Sequence, residues 1–213
     1  MTDSPDEPGG GAEPLEQADA LARAGASIEA VARYRELLAA EPGHVEARLR
    51  LAQLLDRLEE GEEAVAVLTQ GLGRSPDSPE LVFLRGTILG RLRRYPEAEA
   101  DLRRVLRTQP ADASAEFELG LVAWRRGLTA LAVEHFRRSL EHRPDDARTS
   151  YHLADALNQT GELSAAREAL EHAVRVSPRD AKAHHLLGRV LDRLGQIEEA
   201  REMYHRAREL GGP

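Results

Sequence analysis

Apolar and polar positions along this chain follow a helical rhythm that restarts at a fixed interval. Between Ala113 and Arg126 apolar residues recur at helical spacing, Gly127 interrupts them, and Thr129–His142 takes up the spacing again before Pro144. The pattern predicts two helices joined by a tight turn, and the pair recurs. Ala30, Ala64, Ala98, Ala132, Ala166 and Ala200 are separated by a constant 34 residues, and Pro42, Pro76, Pro110, Pro144 and Pro178 share that step. A small residue returns at Ala18, Ala52, Gly86, Gly120, Ala154 and Gly188, and a large one at Tyr34, Leu68, Leu102, Phe136, Leu170 and Tyr204. Four rows in phase across six units, with no insertion, establish an internal repeat.

Each row has a physical reason. Two helix backbones approach closely only where a side chain is short. Proline lacks the amide proton and clashes with the preceding turn, so it ends each second helix. Ser78, Asp112, Asp146 and Asp180 stand where first helices begin and fit N-caps, and Pro79 fits a first helical position. Ser27, Thr129 and Ser164 are the corresponding caps expected for second helices.

The 34-residue helix–turn–helix unit resembles that of the tetratricopeptide repeat family. The small-residue, alanine, large-residue and proline rows carry the likeness, together with turn glycines at Gly25, Gly127, Gly161 and Gly195. It covers residues 11–213. The resemblance implies an all-α fold, a right-handed α-solenoid of about 12 helices in antiparallel pairs. A single array over residues 13–210 is expected, in units 11–44, 45–78, 79–112, 113–146, 147–180 and 181–213. Glu59 and Arg93 replace the turn glycine in the second and third units, and Arg85 stands in a row that is mostly leucine, at Leu51, Leu119, Leu153 and Leu187. These departures are expected to weaken packing locally.

The array ends look polar. Arg201 and Arg208 occupy positions that are apolar in other units, Gln17 replaces a leucine and Pro14 opens the first helix. Water-facing ends, and with them a complete array, are therefore expected. Residues 1–12 (MTDSPDEPGGGA) are acidic and rich in Gly and Pro, the composition of a disordered tail.

Charge narrows the partners. The formal charge is −8, and residues 1–16 hold five carboxylates and no base. The remainder is close to balanced, which leaves no electrostatic excess for nucleic acid. Lys182 is the only lysine among 29 basic residues, a composition typical of a GC-rich bacterial genome. There is no cysteine, no export signal and no apolar run long enough to span a membrane, so a cytoplasmic protein without membrane insertion is expected.

In the family, first helices line a concave groove that binds peptide segments or helices of other proteins. The resemblance therefore points to Phe83, Phe117, Tyr151 and His185, one 34-step row, with Trp124 two turns beyond Phe117. Arg57, Arg91, Arg125 and Arg193 form a second row, interrupted by Gln159, beside which lies Asn158. Four of the eight aromatic residues fall on this supposedly wet face, and aromatic and arginine anchors dominate interface energies. Phe83, Phe117, Trp124 and Tyr151 are expected to bury apolar ligand groups. Arg91 and Arg125 would hold a carboxylate or carbonyl, and Asn158 would bond a ligand backbone. The alternative for the phenylalanines and Tyr151 is packing between units. Arg91, Arg125 and Arg148 appear balanced by Glu80, Glu118 and Asp155, and the Lys and Asn placements of the family's clamp for acidic C-termini are missing.

No catalytic motif occurs: there is no GxSxG, no P-loop and no complete GxGxxG. His152, Asp155 and His185 lack metal-site spacing, so neither metal nor cofactor is expected. The reading is a non-catalytic, monomeric adaptor for a protein or peptide segment, with at most weak self-association. Its competitor is a self-assembling structural protein without a separate ligand.

Overall fold

The computed structural model of the chain describes residues 12–212. Of the tail expected over residues 1–12, all but Ala12 lies outside the described residues; Ala12 opens the first helix. Among the described residues there are twelve helices and no strand. The chain divides into two compact units, Met1–Arg104 and Val105–Pro213.

Unit 1 contains α1 (Ala12–Arg23), α2 (Ser27–Ala40), α3 (Val45–Arg57), α4 (Gly61–Leu72) and α5 (Pro79–Arg91). The boundary falls within α6 (Tyr95–Thr108). Unit 2 contains α7 (Ala113–Arg125), α8 (Thr129–His142), α9 (Ala147–Thr160), α10 (Leu163–Val176), α11 (Ala181–Arg193) and α12 (Ile197–Glu209). No described helix is long and apolar enough to cross a membrane.

First and second helices start differently. Ser78, Asp112, Asp146 and Asp180 accept amide protons at the starts of α5, α7, α9 and α11, and His44 does so for α3. The caps expected at Ser27, Thr129 and Ser164 are absent: α2, α8 and α10 have Ala26, Leu128 and Glu162 at the N-cap position, with no side-chain bond. The reason lies in the turn. Those residues are already held by the preceding helix, through Ala26 N–H to Leu21 O, Leu128 N–H to Ala123 O and Glu162 N–H to Leu157 O, each 2.9–3.0 Å. This six-to-one bond belongs to a Schellman termination, and it fixes the second helix's entry without a capping side chain. The residue before it must be left-handed. Glu59 and Arg93 adopt φ of 65° and 62°, matching the glycines at equivalent positions, so the turn survives the substitutions at a conformational cost.

In unit 1 the core is built from Tyr34, Leu51, Leu55, Leu68, Leu81, Ile88 and Leu102, all fully buried. Arg85, which breaks a leucine row, is accommodated by Asp101 on α6. Its Nε and Nη2 donate to the two carboxylate oxygens at 2.7 and 2.8 Å, a forked pair whose carboxylate is buried. Arg48 is also buried and donates to the carbonyls of Pro42 and Val67 at 2.7 and 3.1 Å. Gln17 on α1 is exposed.

In unit 2 the core surrounds Phe136 and Leu170, with Leu119, Leu157, Leu187 and Val190. Gly120 permits the closest approach: a Cβ there would lie 2.5 Å from the Phe136 ring. The 34-step row that contains Arg48 continues through Glu116, Ser150 and His184, all buried and each hydrogen-bonded differently. Glu116 bonds His135 at 2.6 Å, Ser150 donates to the Asp146 carbonyl, and His184 reaches the Pro178 carbonyl at 3.1 Å. At the far end Arg201 and Arg208 are exposed.

Candidate partner-binding face

The expected site residues divide between the units. In unit 1, Phe83 is half-buried on α5, and Arg91 is exposed but ion-paired with Asp56 of α3. The other six lie in unit 2, on α7, α9 and α11.

Phe117 departs from the expectation of a wet face. It is 6% exposed, with Phe136 at 5.7 Å and His152 at 5.5 Å between ring centroids. The Arg148 guanidinium lies 4.4 Å above its ring. The next repeat thus covers this ring through a cation–π contact, and the packing role describes it. Asn158 departs too. It is 4% exposed, and both its side-chain oxygen and its backbone carbonyl accept from Arg193 Nη1, so its acceptors serve the scaffold instead of a ligand. The physical reason is one of reach: an arginine one repeat later spans back to the preceding first helix.

The same reach explains Arg91, which bonds the residue 35 positions earlier, Asp56, as Arg193 bonds Asn158. Arg125 is exposed and makes no ion pair among the described residues. Trp124 and Tyr151 remain half-buried, and His185, also half-buried, leans on Tyr204 with ring centroids 5.4 Å apart.

His152, omitted from the expected contacts, sits at the centre of the face. It stacks on Phe136 at 5.9 Å and meets Tyr151 edge-on at 5.4 Å. Burial, with Arg148 and Arg125 adding repulsion, pulls its pKa down to about 4, so the imidazole is neutral at physiological pH. Burial likewise pushes the Asp155 carboxyl up, against the pull of Arg189. Tyr151 is pushed up by burial and by Asp155 and Asp180. An open depression of about 680 Å³ lies beside these rings, lined by Arg148, Tyr151, His152, Val176 and Lys182 among others. Arg189 and Lys182 were legible only as members of 34-step rows, Leu121–Asp155–Arg189 and Ser114–Arg148–Lys182. Their freedom from partners is a property of the fold. Among the described residues no three His, Asp or Glu side chains are grouped to hold a metal.

Comparison with known proteins agrees with the repeat. Two family models described as tetratricopeptide repeat match, one over residues 83–147 and the other over 21–88, 123–187 and 164–211. No curated protein matches the chain. Among solved structures, MamA from Desulfovibrio magneticus RS-1 is 26% identical with a TM-score of 0.69, covering 78% of this chain and 94% of its own. PilW, a type IV pilus biogenesis factor, is 24% identical with a TM-score of 0.81, covering 92% and 91%. YrrB, described as a TPR protein with an unusual peptide-binding site, is 20% identical with a TM-score of 0.64, covering 83% and 91%.

Proposed function

Because the chain belongs to the tetratricopeptide repeat family, we propose that it is a non-catalytic interaction scaffold whose unit 2 takes up a peptide or helical segment of a partner protein. The observation that carries this reading is the placement, on α7, α9 and α11, of half-buried Trp124 and Tyr151 with arginines that make no ion pair among the described residues. Aromatic and arginine side chains are the residues that anchor interfaces, and a face held rigid by helix packing loses little entropy on binding. Trp124, Tyr151 and His185 present apolar surface, while Arg125 is available to a carboxylate or carbonyl. Phe117 and Asn158 act from beneath, by positioning. The peptide-binding site ascribed to YrrB, on a similar fold, is compatible support. A monomer in a bacterial cytoplasm, independent of nucleic acid, belongs to the same reading, on the arginine-for-lysine composition and the acidic net charge.

Affinity capture from a lysate of the source cell tests it. Wild type is compared with a Trp124→Ala/Tyr151→Ala variant, and circular dichroism verifies equal helicity. A partner held by wild type should be lost by the variant, since a hot-spot truncation removes about 2 kcal/mol or more. Equal recovery by both proteins overturns the assignment of the face.

A further inference from the structure

His152 is titratable, yet rings wall it in. Its centroid lies 5.5 Å from that of Phe117 and 5.9 Å from that of Phe136, and Tyr151 meets it edge-on at 5.4 Å. Phe117 on α7 and Phe136 on α8 belong to the preceding repeat, so this imidazole of α9 is a contact by which one repeat holds the next. Among the described residues, no hydrogen bond or ion pair involves its ring nitrogens. Trp124, the chain's only tryptophan, packs partly buried against the same apolar cluster.

The charges around this ring disfavour a further proton. Arg148, on its own helix, already lies 4.4 Å over the Phe117 ring and repels a second cation, as Arg125 does from α7. Asp146 attracts the charged imidazole, but it is the cap of α9 and accepts from Thr149 N–H at 3.0 Å. The other carboxylates of α7 are Glu116, which His135 of α8 engages at 2.6 Å, and buried Glu118, which has a partner of its own. Half-buried Asp155 on α9 feels Arg189 of α11. On the open side Asp180 caps α11 beside Lys182, opposite Arg143 and Asp145. Burial outweighs each of these charges, and the sum holds the His152 pKa at about 4.

We propose that His152 is an acid-sensitive latch between the fourth and fifth repeats: neutral, it completes the ring stack that holds α9 on α7 and α8, and protonated, it leaves the stack and loosens unit 2. An imidazolium and the Arg148 guanidinium would crowd the Phe117 ring with no carboxylate between them, and releasing the imidazole to water relieves that repulsion. In water the imidazole has its ordinary pKa of about 6.5. The folded stack favours the neutral form, so its contribution is complete above about pH 6.5 and is lost progressively as the pH falls toward about 4. The latch holds the floor of the aromatic face, and it stands whether or not that face takes up a partner.

Urea unfolding of the full-length chain, followed by Trp124 fluorescence, tests it in wild type and His152→Phe. Between about pH 7.5 and about pH 5 the wild-type equilibrium should shift about tenfold or more toward the unfolded state. His152→Phe keeps a ring in the stack and removes the proton, so its shift should be clearly smaller, whatever its stability at neutral pH. Equal shifts in the two proteins would assign the acid sensitivity to other groups, the buried His135 and His184 among them, and overturn the latch. A second measurement serves where the phenylalanine variant does not fold: NMR titration of the His152 ring in the wild type. A midpoint below about 5.5 that rises in Arg148→Gln supports the latch, and a midpoint nearer the ordinary value of about 6.5, or one indifferent to Arg148→Gln, overturns it.

Discussion

Arg91 in unit 1 and Arg125 in unit 2 occupy equivalent repeat positions at the ends of first helices, yet only Arg91 is engaged, by Asp56. Other arginines of unit 1 are also structural: Arg48 bonds two backbone carbonyls, Arg85 forks onto Asp101, and Arg94 pairs with Glu62 and Glu97. In unit 2 Arg193 and Arg167 are engaged in the same way, by Asn158 and by Glu171, whereas Arg125, Arg148 and Arg189 make no ion pair among the described residues. What distinguishes them is the residue that each guanidinium can reach. An arginine in a repeat protein is scaffold or contact according to its neighbour, and the repeat position alone does not decide between the two.

Breaking the engaged set should have the larger effect. Asp101→Ala leaves the Arg85 guanidinium, whose side chain is 21% exposed, without its partner. Removing one member of a largely buried pair costs about 3 kcal/mol, so the chemical-denaturation midpoint should drop clearly. Arg85→Leu combined with Asp101→Ala restores the leucine of the row and should recover most of that loss. No recovery would mean that Arg85 holds the unit by some route other than its charge.

A smaller gain is expected at the unit 1 turns. Arg93→Gly relieves a left-handed backbone at a non-glycine residue and should stabilise the protein by up to about 1 kcal/mol. A neutral or destabilising result in thermal unfolding would assign the Arg93 side chain a contact that outweighs the backbone cost. The smallest effects sharpen the comparison itself. Arg91→Ala removes an exposed ion pair and should cost about 0.5 kcal/mol, whereas Arg125→Ala should be within about 0.5 kcal/mol of zero either way and should weaken partner binding. A clear stability loss at Arg125 would move it into the scaffold beside Arg91.

Much of the architecture was legible because it is periodic. The prolines mark helix ends in the first five units and the small residues recur in all six, and neither depends on what lies elsewhere in the chain. The caps at Ser78, Asp112, Asp146 and Asp180 were legible for the same reason, being local bonds between a side chain and an amide three residues on. The second-helix caps were misjudged because a Schellman turn already holds the preceding residue, and a composition of Ser and Thr does not reveal that. At the face, the aromatic row was visible while its burial was not: whether Phe117 meets water depends on Arg148, one repeat later.

By itself, then, the sequence determined the repeat length, the helix pairs, their polar ends and the row on which contacts would be sought, all of them consequences of short-range geometry recurring every 34 residues. Only the tertiary structure decided which members of that row are covered and which cations remain unneutralised. Those outcomes depend on contacts between successive repeats, as where Arg91 reaches 35 residues back to Asp56 and Arg193 reaches 35 residues back to Asn158.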